Sequence, residues 1–460
     1  MAEKRTEYDT LGPVAVPKTA LWGAQTERSR ENFPVGPLMP VQVIRALIEI
    51  KRAAARVNAH AEKISAAKAR ALEAASDYLL ALPDQELMHS FPLHVYQTGS
   101  GTQTNMNVNE VLTHVVANQQ PELRVQPNDD VNASQSSNDT FPTAMNMAAY
   151  QAVQALLPQL EHLMTTLKRL ETKYWQVVKI GRTHLQDATP LTFGQEISGW
   201  LSTLERDTEA LHQAAQGLLK LPIGGTAVGT GLNTPPHFDV EMAAELSAAR
   251  DVPYQVTNKF AGLTAHSDLL TTHGVVRTLA SDLLKIANDI RFLASGPRAG
   301  YGELTIPANE PGSSIMPGKV NPTQAEAMTM AATRIMGNDT TLTVANSQGN
   351  FEMNVYKPVM IASFLESVDL LTGLLPNFTD KMVAGIQVNQ ARMKQFVDDS
   401  LMTVTALAPH IGYHEAAAIA NQALAKHERL RDAALASGLV TAAQFDQWVQ
   451  PLQMTNYQRN

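Results

Sequence analysis

The chain has 460 residues, 44% hydrophobic and 17% charged, with no cysteine and a formal net charge of −8. At about 150 residues per domain that length predicts two to four domains. The missing cysteines exclude disulfides, thiolate nucleophiles, Cys-ligated zinc and all-cysteine iron–sulfur clusters, so any chemistry must rest on oxygen and nitrogen groups. The acidic balance argues against a general nucleic-acid binder.

The opening segment MAEKRTEYDT has no apolar leader, and no uninterrupted apolar run reaches 18 residues. The expectation is a cytoplasmic chain that neither enters secretion nor spans a membrane. Pro13, Pro17, Pro34, Pro37 and Pro40 interrupt any regular period, so the first forty residues are expected to be irregular. From Val41 to Ala61, Ile44, Leu47, Ile48 and Val57 recur at helical spacing.

Three seven-residue seams follow. The first is Leu156, Leu160, Leu163, Leu167, Leu170 and Tyr174. The second is Ile197, Leu201, Leu204, Leu211, Ala215 and Leu218, with Thr208 as its one polar member. The third is Val276, Leu279, Leu283, Ile286, Ile290 and Leu293. Seams this long predict helices packed side by side at shallow angles. Pro158, inside the first seam, predicts a kink or a fresh start. No βαβ alternation is present, which argues against a doubly wound sheet. The expected fold is mainly α, in three domains: 1–137 mixed but mainly helical, 138–392 a central long-helix bundle, and 393–460 a small helical unit.

Four polar segments interrupt this pattern: QTGSGTQTNMNVNE from Gln97, VQPNDDVNASQSSNDTFPTAMN from Val125, GRTHLQDATPLTFGQE from Gly181 and GSSIMPGKVNPTQAE from Gly312. Each precedes a predicted helix, whose unpaired N–H groups suit a carboxylate or phosphate. Gly99-Ser-Gly101-Thr102 fails the dinucleotide fingerprint, because Thr104 ends it and neither the preceding strand nor the later acidic residue is evident. The run GGTAVGTG from Gly224 fits no better. In the Gly312 segment, glycines at 312 and 318 and prolines at 317 and 322 frame two hydroxyls (Ser313, Ser314), an ammonium (Lys319) and a carboxamide (Asn321). An ordinary solvated loop is the bland reading. His184 is either a core histidine satisfied by a backbone carbonyl or an acid–base group. Ser137, Asn138 and Asp139 are either helix caps or, for the first two, donors to a ligand.

Read whole, these four segments, with the amino-terminal WGAQTERSRENFPVG and the distal GNFEMNVYKPVM, resemble class II fumarases of the aspartase/fumarase superfamily. The similarity runs from about Tyr8 to the final helical tail. The GSSxMPxKxN pattern marks only the superfamily. His184 in GRTHLQDA and Ser137 in SSND side with fumarases, where aspartases resemble GRTQLQDA and STND.

The resemblance implies reversible hydration of fumarate to L-malate, a step of the tricarboxylic acid cycle, through an aci-carboxylate intermediate. It implies Ser313 as the base at C3, and His184, poised by Glu326, acting through a water on the departing hydroxyl. Substrate contacts would come from Ser100, Gly101, Thr102, Ser136, Ser137, Asn138, Thr183, Ser314, Lys319 and Asn321. A second carboxylate site would lie at Gln126, Pro127, Asn128 and Asp129, with Gln126 where the family commonly has histidine and Leu123 where some members carry a basic residue. Ala261 stands where many relatives show Glu, and nothing in the sequence explains it. No metal and no cofactor are expected. The partners expected are a small dicarboxylate and other copies of the chain, in a homotetramer whose active sites are shared among three subunits, the central bundles assembling with one another. Two rivals remain: a neighbouring lyase such as aspartate ammonia-lyase, and a structural protein that kept the fold without activity.

Overall fold

The computed structural model describes residues 3–458. It is mainly helical, as expected, and among the described residues its strands form four two-stranded sheets. The chain divides into two compact units. The first comprises Met1–Leu156, Glu209–Thr278 and Thr333–Leu370; the second comprises Leu157–Thr208, Leu279–Ala332 and Leu371–Asn460.

In the first unit the opening segment is not irregular. Lys4–Asp9 and Gly12–Pro17 form an antiparallel hairpin with Tyr8 opposite Pro13 and Lys4 opposite Pro17. In a two-stranded sheet each strand is paired on one side only, so a proline whose missing N–H faces outward costs no ladder bond. Gly12, at φ +113, makes the tight turn that a side chain would oppose. The Val41–His60 helix matches the spacing: Ile44, Leu47, Ile48 and Val57 are all buried. Its buried face also holds Lys51, one helical turn beyond Leu47 and Ile48. The Thr102–Gln119 helix carries an unusual interior, with Thr104, Asn105, Asn107 and Asn109 all buried beside Val108, Val111 and Leu112.

The three seams fall on the helices Ser137–Lys173, Phe193–Ala215 and Ser267–Leu293, with Tyr174 just past the end of the first and Leu218 in the one-turn helix Gln216–Leu219 that follows the second. Leu160, Leu163, Leu167 and Leu170 on the first, Leu204 on the second, and Leu283, Ile286 and Ile290 on the third are at most 3% exposed in the second unit. Each such side chain contributes about 1.5–3 kcal/mol by leaving water. The helix does not begin anew at Pro158; it runs unbroken from Ser137 to Lys173. Pro158 and the residue four back, Gln154, are both exposed, so the carbonyl that loses its partner is on the wet side of the helix.

The Gly181 segment leads into a helix, as expected, but its own conformation was not foreseen. It is a hairpin, Val178–Thr183 with Gln186–Thr192, and only its far end leads into a helix. The Lys357–Lys381 helix opens an apolar stretch, Lys357–Gly385, long enough to cross a membrane. Its Met360, Ile361, Phe364, Leu365 and Val368 are at most 1% exposed, which marks a core helix. The carboxy-terminal helices surround a core of their own, built from Leu407, Ile419, Leu430, Ala433, Val440 and Phe445.

Candidate active site

In the first unit two helix amino termini come together. Gln97 caps one of them, its Oε1 accepting from the Thr104 N–H at 3.1 Å and from Thr104 Oγ1 at 2.9 Å. Gly101 precedes this helix at φ +78, where a Cβ would stand 2.3 Å from the Phe141 ring, so the approach requires glycine. The outcome is a chain of hydroxyls. Ser100 Oγ lies 2.7 Å from Thr102 Oγ1, which lies 2.7 Å from Ser137 Oγ on the second helix. Ser136 Oγ accepts the Asn138 N–H at 3.1 Å, and Asn138 Nδ2 donates to the Ala227 carbonyl at 2.8 Å.

Asp139 caps its helix through the Ser136 N–H at 2.9 Å, as its sequence position suggests, and does more. Its other oxygen accepts the N–H groups of Gly224 at 3.0 Å and Thr226 at 2.9 Å. That ties the glycine-rich turn after Gly224 beneath the site. Burial pushes its carboxyl up, opposed by these donors and by Lys51.

A cavity of about 420 Å³, ample for a four-carbon dicarboxylate, is bounded by Thr102, Asn105, Asn132, Gln135, Ser136 and Ser137 among others. Asn128 lines the same cavity, so one residue of the proposed second site faces the hydroxyl chain. Pro127–Val131 is a single π-helical turn, held by the Gln126 N–H donating to Asp130, whose carboxylate meets Lys68 at 2.8 Å. Gln126 and Asp129 are exposed.

The second unit holds Thr183, His184, Ser313, Ser314, Lys319, Asn321 and Glu326. His184 and Leu185 form the two-residue tip of the hairpin, both left-handed at φ 57 and 60. Tips of this geometry favour Asn-Gly, because paired positive φ values strain ordinary side chains. A His-Leu tip is therefore a local conflict of the kind that accompanies function. Gly181 lets the hairpin close at its bulge, where a Cβ would stand 2.5 Å from the Thr189 carbonyl oxygen. Arg182, two residues before the tip, anchors the hairpin, donating to the buried Glu303 at 2.7 Å and lying over the Tyr301 ring. Thr183 and His184 are left exposed on a rigid stalk.

The Gly312 loop is buckled at its base: the Gly312 N–H donates to the Lys319 carbonyl at 2.8 Å and Asn321 Nδ2 to the Gly312 carbonyl at 2.7 Å. Inside it, Ser313 Oγ accepts the N–H groups of Ile315 at 3.2 Å and Met316 at 3.1 Å. Two backbone donors aimed at one serine oxygen stabilise negative charge on that oxygen. Ile315 and Met316 are themselves 83% and 49% exposed. Glu326 is in the first turn of the Thr323–Asn346 helix, exposed. Among the described residues no hydrogen bond joins it to His184 within one chain.

Sequence reasoning missed Lys51, Asn105, Asn132, Gln135 and Lys357. Lys51 donates to Asn132 Oδ1 at 3.0 Å and Gln135 Oε1 at 2.9 Å, and Asn105 Nδ2 reaches the same Asn132 oxygen at 3.0 Å. The available signal was a lysine inside an apolar helical stripe. A Ser–His–Asp arrangement away from the cavity, Ser367–His273–Asp339 with contacts of 2.9 Å, is structural. Ser367 is fully buried, donates to the Ser363 carbonyl and accepts from Asn338, so no substrate reaches it.

Comparison with known proteins agrees with this geometry. Residues 12–337 match the Lyase family model, and residues 404–456 match the fumarase C C-terminus model. The class II fumarate hydratase of Listeria monocytogenes serotype 4b is 55% identical over 98% of this chain and 100% of its own. The chain belongs to the class II fumarase family. The class II fumarate hydratase of Halalkalibacterium halodurans is 51% identical over 99% of both chains. In three dimensions the recombinant class II fumarase of Schistosoma mansoni superposes with a TM-score of 0.94 at 41% identity, over the whole of both chains. The Ser313 loop, the His184 hairpin and the hydroxyl chain thus lie in a chain matched to fumarases along its full length.

Proposed function

We propose that this protein interconverts fumarate and L-malate by acid–base catalysis, in the cytoplasm, as a homotetramer whose sites draw on three subunits. The observation that carries the mechanism is the Ser313 oxygen with two backbone N–H groups pointed at it. The difficult step is removal of the C3 proton of malate, because the aci-carboxylate that results concentrates charge. A serine is a strong enough base only when its oxyanion is stabilised and water is kept away. Loop closure would supply the second condition, and the exposed Ile315 and Met316 are apolar groups suited to it.

Lys319 and Asn321 neutralise the aci-carboxylate, and His184, oriented by Glu326, assists the hydroxyl through a water. Sharing among subunits agrees with the exposure of both His184 and Glu326 in the single chain: each side chain is presented outward, free to meet a partner on assembly. Ser100, Thr102, Ser137, Asn138, Thr183 and Ser314 hold the two carboxylates. A second anion site is proposed at Gln126–Asp129.

Purified enzyme given L-malate and L-aspartate side by side should release fumarate from malate only, read by the ultraviolet absorbance of its double bond. Fumarate from aspartate would indicate an ammonia-lyase. Inertness towards malate, aspartate and fumarate would indicate a structural protein. His184→Asn is expected to lower kcat by about 10²-fold, the usual worth of one acid–base group. An unchanged rate would reduce His184 to a turn residue.

A further inference from the structure

The first unit's cavity faces a difficulty of charge. Its substrate would be a dianion and the chain is net negative at −8, yet no charged side chain lines the cavity among the described residues. One cation, Lys51, lies directly behind the wall, and a second, Lys357, is buried beside the loop that carries Ser100. Lys51 is 1% exposed and among the described residues has no carboxylate within salt-bridge distance; both its hydrogen bonds go to carboxamide oxygens, those of Asn132 and Gln135, which line the cavity. Lys357 is fully buried, and its ammonium has no hydrogen-bond partner among the described residues.

Its backbone N–H holds the Gly99 carbonyl at 3.2 Å, next to Ser100 of the hydroxyl chain. It also opens the Lys357–Lys381 helix, at the end where a positive charge is disfavoured. Asp139 is the one carboxylate whose charge acts on both ammoniums, and it is engaged by three backbone N–H groups. Two buried ammoniums against one carboxylate leave a net positive charge, an arrangement that costs stability unless an anion completes it.

We propose that Lys51 and Lys357 are positioning residues for the dicarboxylate: a buried cation pair that charges an otherwise neutral cavity wall and draws a substrate carboxylate onto the Ser100–Thr102–Ser137 hydroxyls. This rests on the fumarate hydratase reading and adds to it a second source of attraction beside Lys319. The amide oxygens of Asn132 and Gln135 turn towards Lys51, which fixes the orientation of both carboxamides. Burial pulls Lys51 down to about 7 and Lys357 down to about 8, with Asp139 resisting in both. His266, the other titratable group beside Lys357, is pulled to about 3 and stays neutral. An arriving carboxylate stabilises both ammoniums, so binding at pH 8 takes up a proton.

The test uses Lys51→Met and Lys357→Met in the full chain. Each should raise the KM for malate and the Kd for succinate, an unreactive dicarboxylate, by about tenfold, with a smaller change in kcat. A purely structural lysine would move thermal stability and leave both constants in place. Unchanged KM and Kd in folded variants would overturn the proposal. Should either variant fail to fold, calorimetry of succinate binding to the wild-type protein at pH 8, in two buffers of different ionisation enthalpy, decides. Proton uptake is expected, and its absence overturns the proposal. A wild-type protein that binds succinate with proton uptake yet does not turn over malate would sink the fumarate hydratase reading and leave the cation pair standing.

Discussion

Ser313→Ala is expected to lower kcat for malate dehydration by about three to four orders of magnitude, while KM and thermal stability stay close to wild type. The reasoning is local. The Ser313 oxygen receives two backbone N–H groups, from Ile315 and Met316, and its side chain is only half-buried. Replacing the hydroxyl by a hydrogen leaves the two donors facing solvent in an exposed loop, where water satisfies them. The cost in stability therefore belongs with surface substitutions, within about 0.5 kcal/mol. The loop itself should keep its shape, because its buckle consists of the Gly312 N–H to Lys319 carbonyl bond and the Asn321 amide to Gly312 carbonyl bond. The acceptor of the C3 proton, by contrast, is gone. Steady-state kinetics with a melting curve on the same preparation checks both halves. Near-normal turnover would remove Ser313 from the mechanism, and a collapse of stability would show the hydroxyl to be structural.

The legibility of the chain followed the range of the interaction involved. The seams through Leu160, Leu204 and Leu283 were readable because a helix repeats its core contacts every three or four residues, and burial followed the pattern. The hairpin at Lys4–Pro17 was not, because its prolines tolerate strand geometry only when one edge is unpaired, a fact about partners absent from local pattern. The His184 hairpin was hidden likewise, since a His-Leu tip lacks the Asn-Gly signal that normally betrays such a turn. Ser313, Lys319 and Asn321 were legible together because one loop carries all three. Lys51 and Lys357 were not, since Lys51 reads alone as one polar residue within an apolar helical stripe and Lys357 as the polar start of a helix. Only the fold shows that Lys51 reaches Asn132 and Gln135, 81 and 84 residues away.

The same long-range dependence makes Gly99 the position where a single methyl group should do most damage. A Cβ there would stand 1.4 Å from the Val355 carbonyl oxygen and 2.3 Å from its carbon, well inside any van der Waals contact, and the obstacle is backbone rather than a movable side chain. Accommodating alanine means separating the Gln97–Gly101 loop from the 355–357 segment. That breaks the Lys357 N–H to Gly99 carbonyl bond and displaces Ser100 from Thr102, whose hydroxyls are now 2.7 Å apart. Overpacking of this kind costs about 3 kcal/mol at the upper end of its usual range, and the severed hydrogen bond adds about 1 kcal/mol more. Gly99→Ala should therefore melt well below wild type. Whatever fraction remains folded should show a raised KM for malate, because the hydroxyl chain that grips the carboxylate is no longer aligned with the Ser137 helix. Thermal unfolding and malate kinetics below the transition separate the two effects. Wild-type stability together with wild-type KM would mean that the loop and the 355–357 segment are not held together as described.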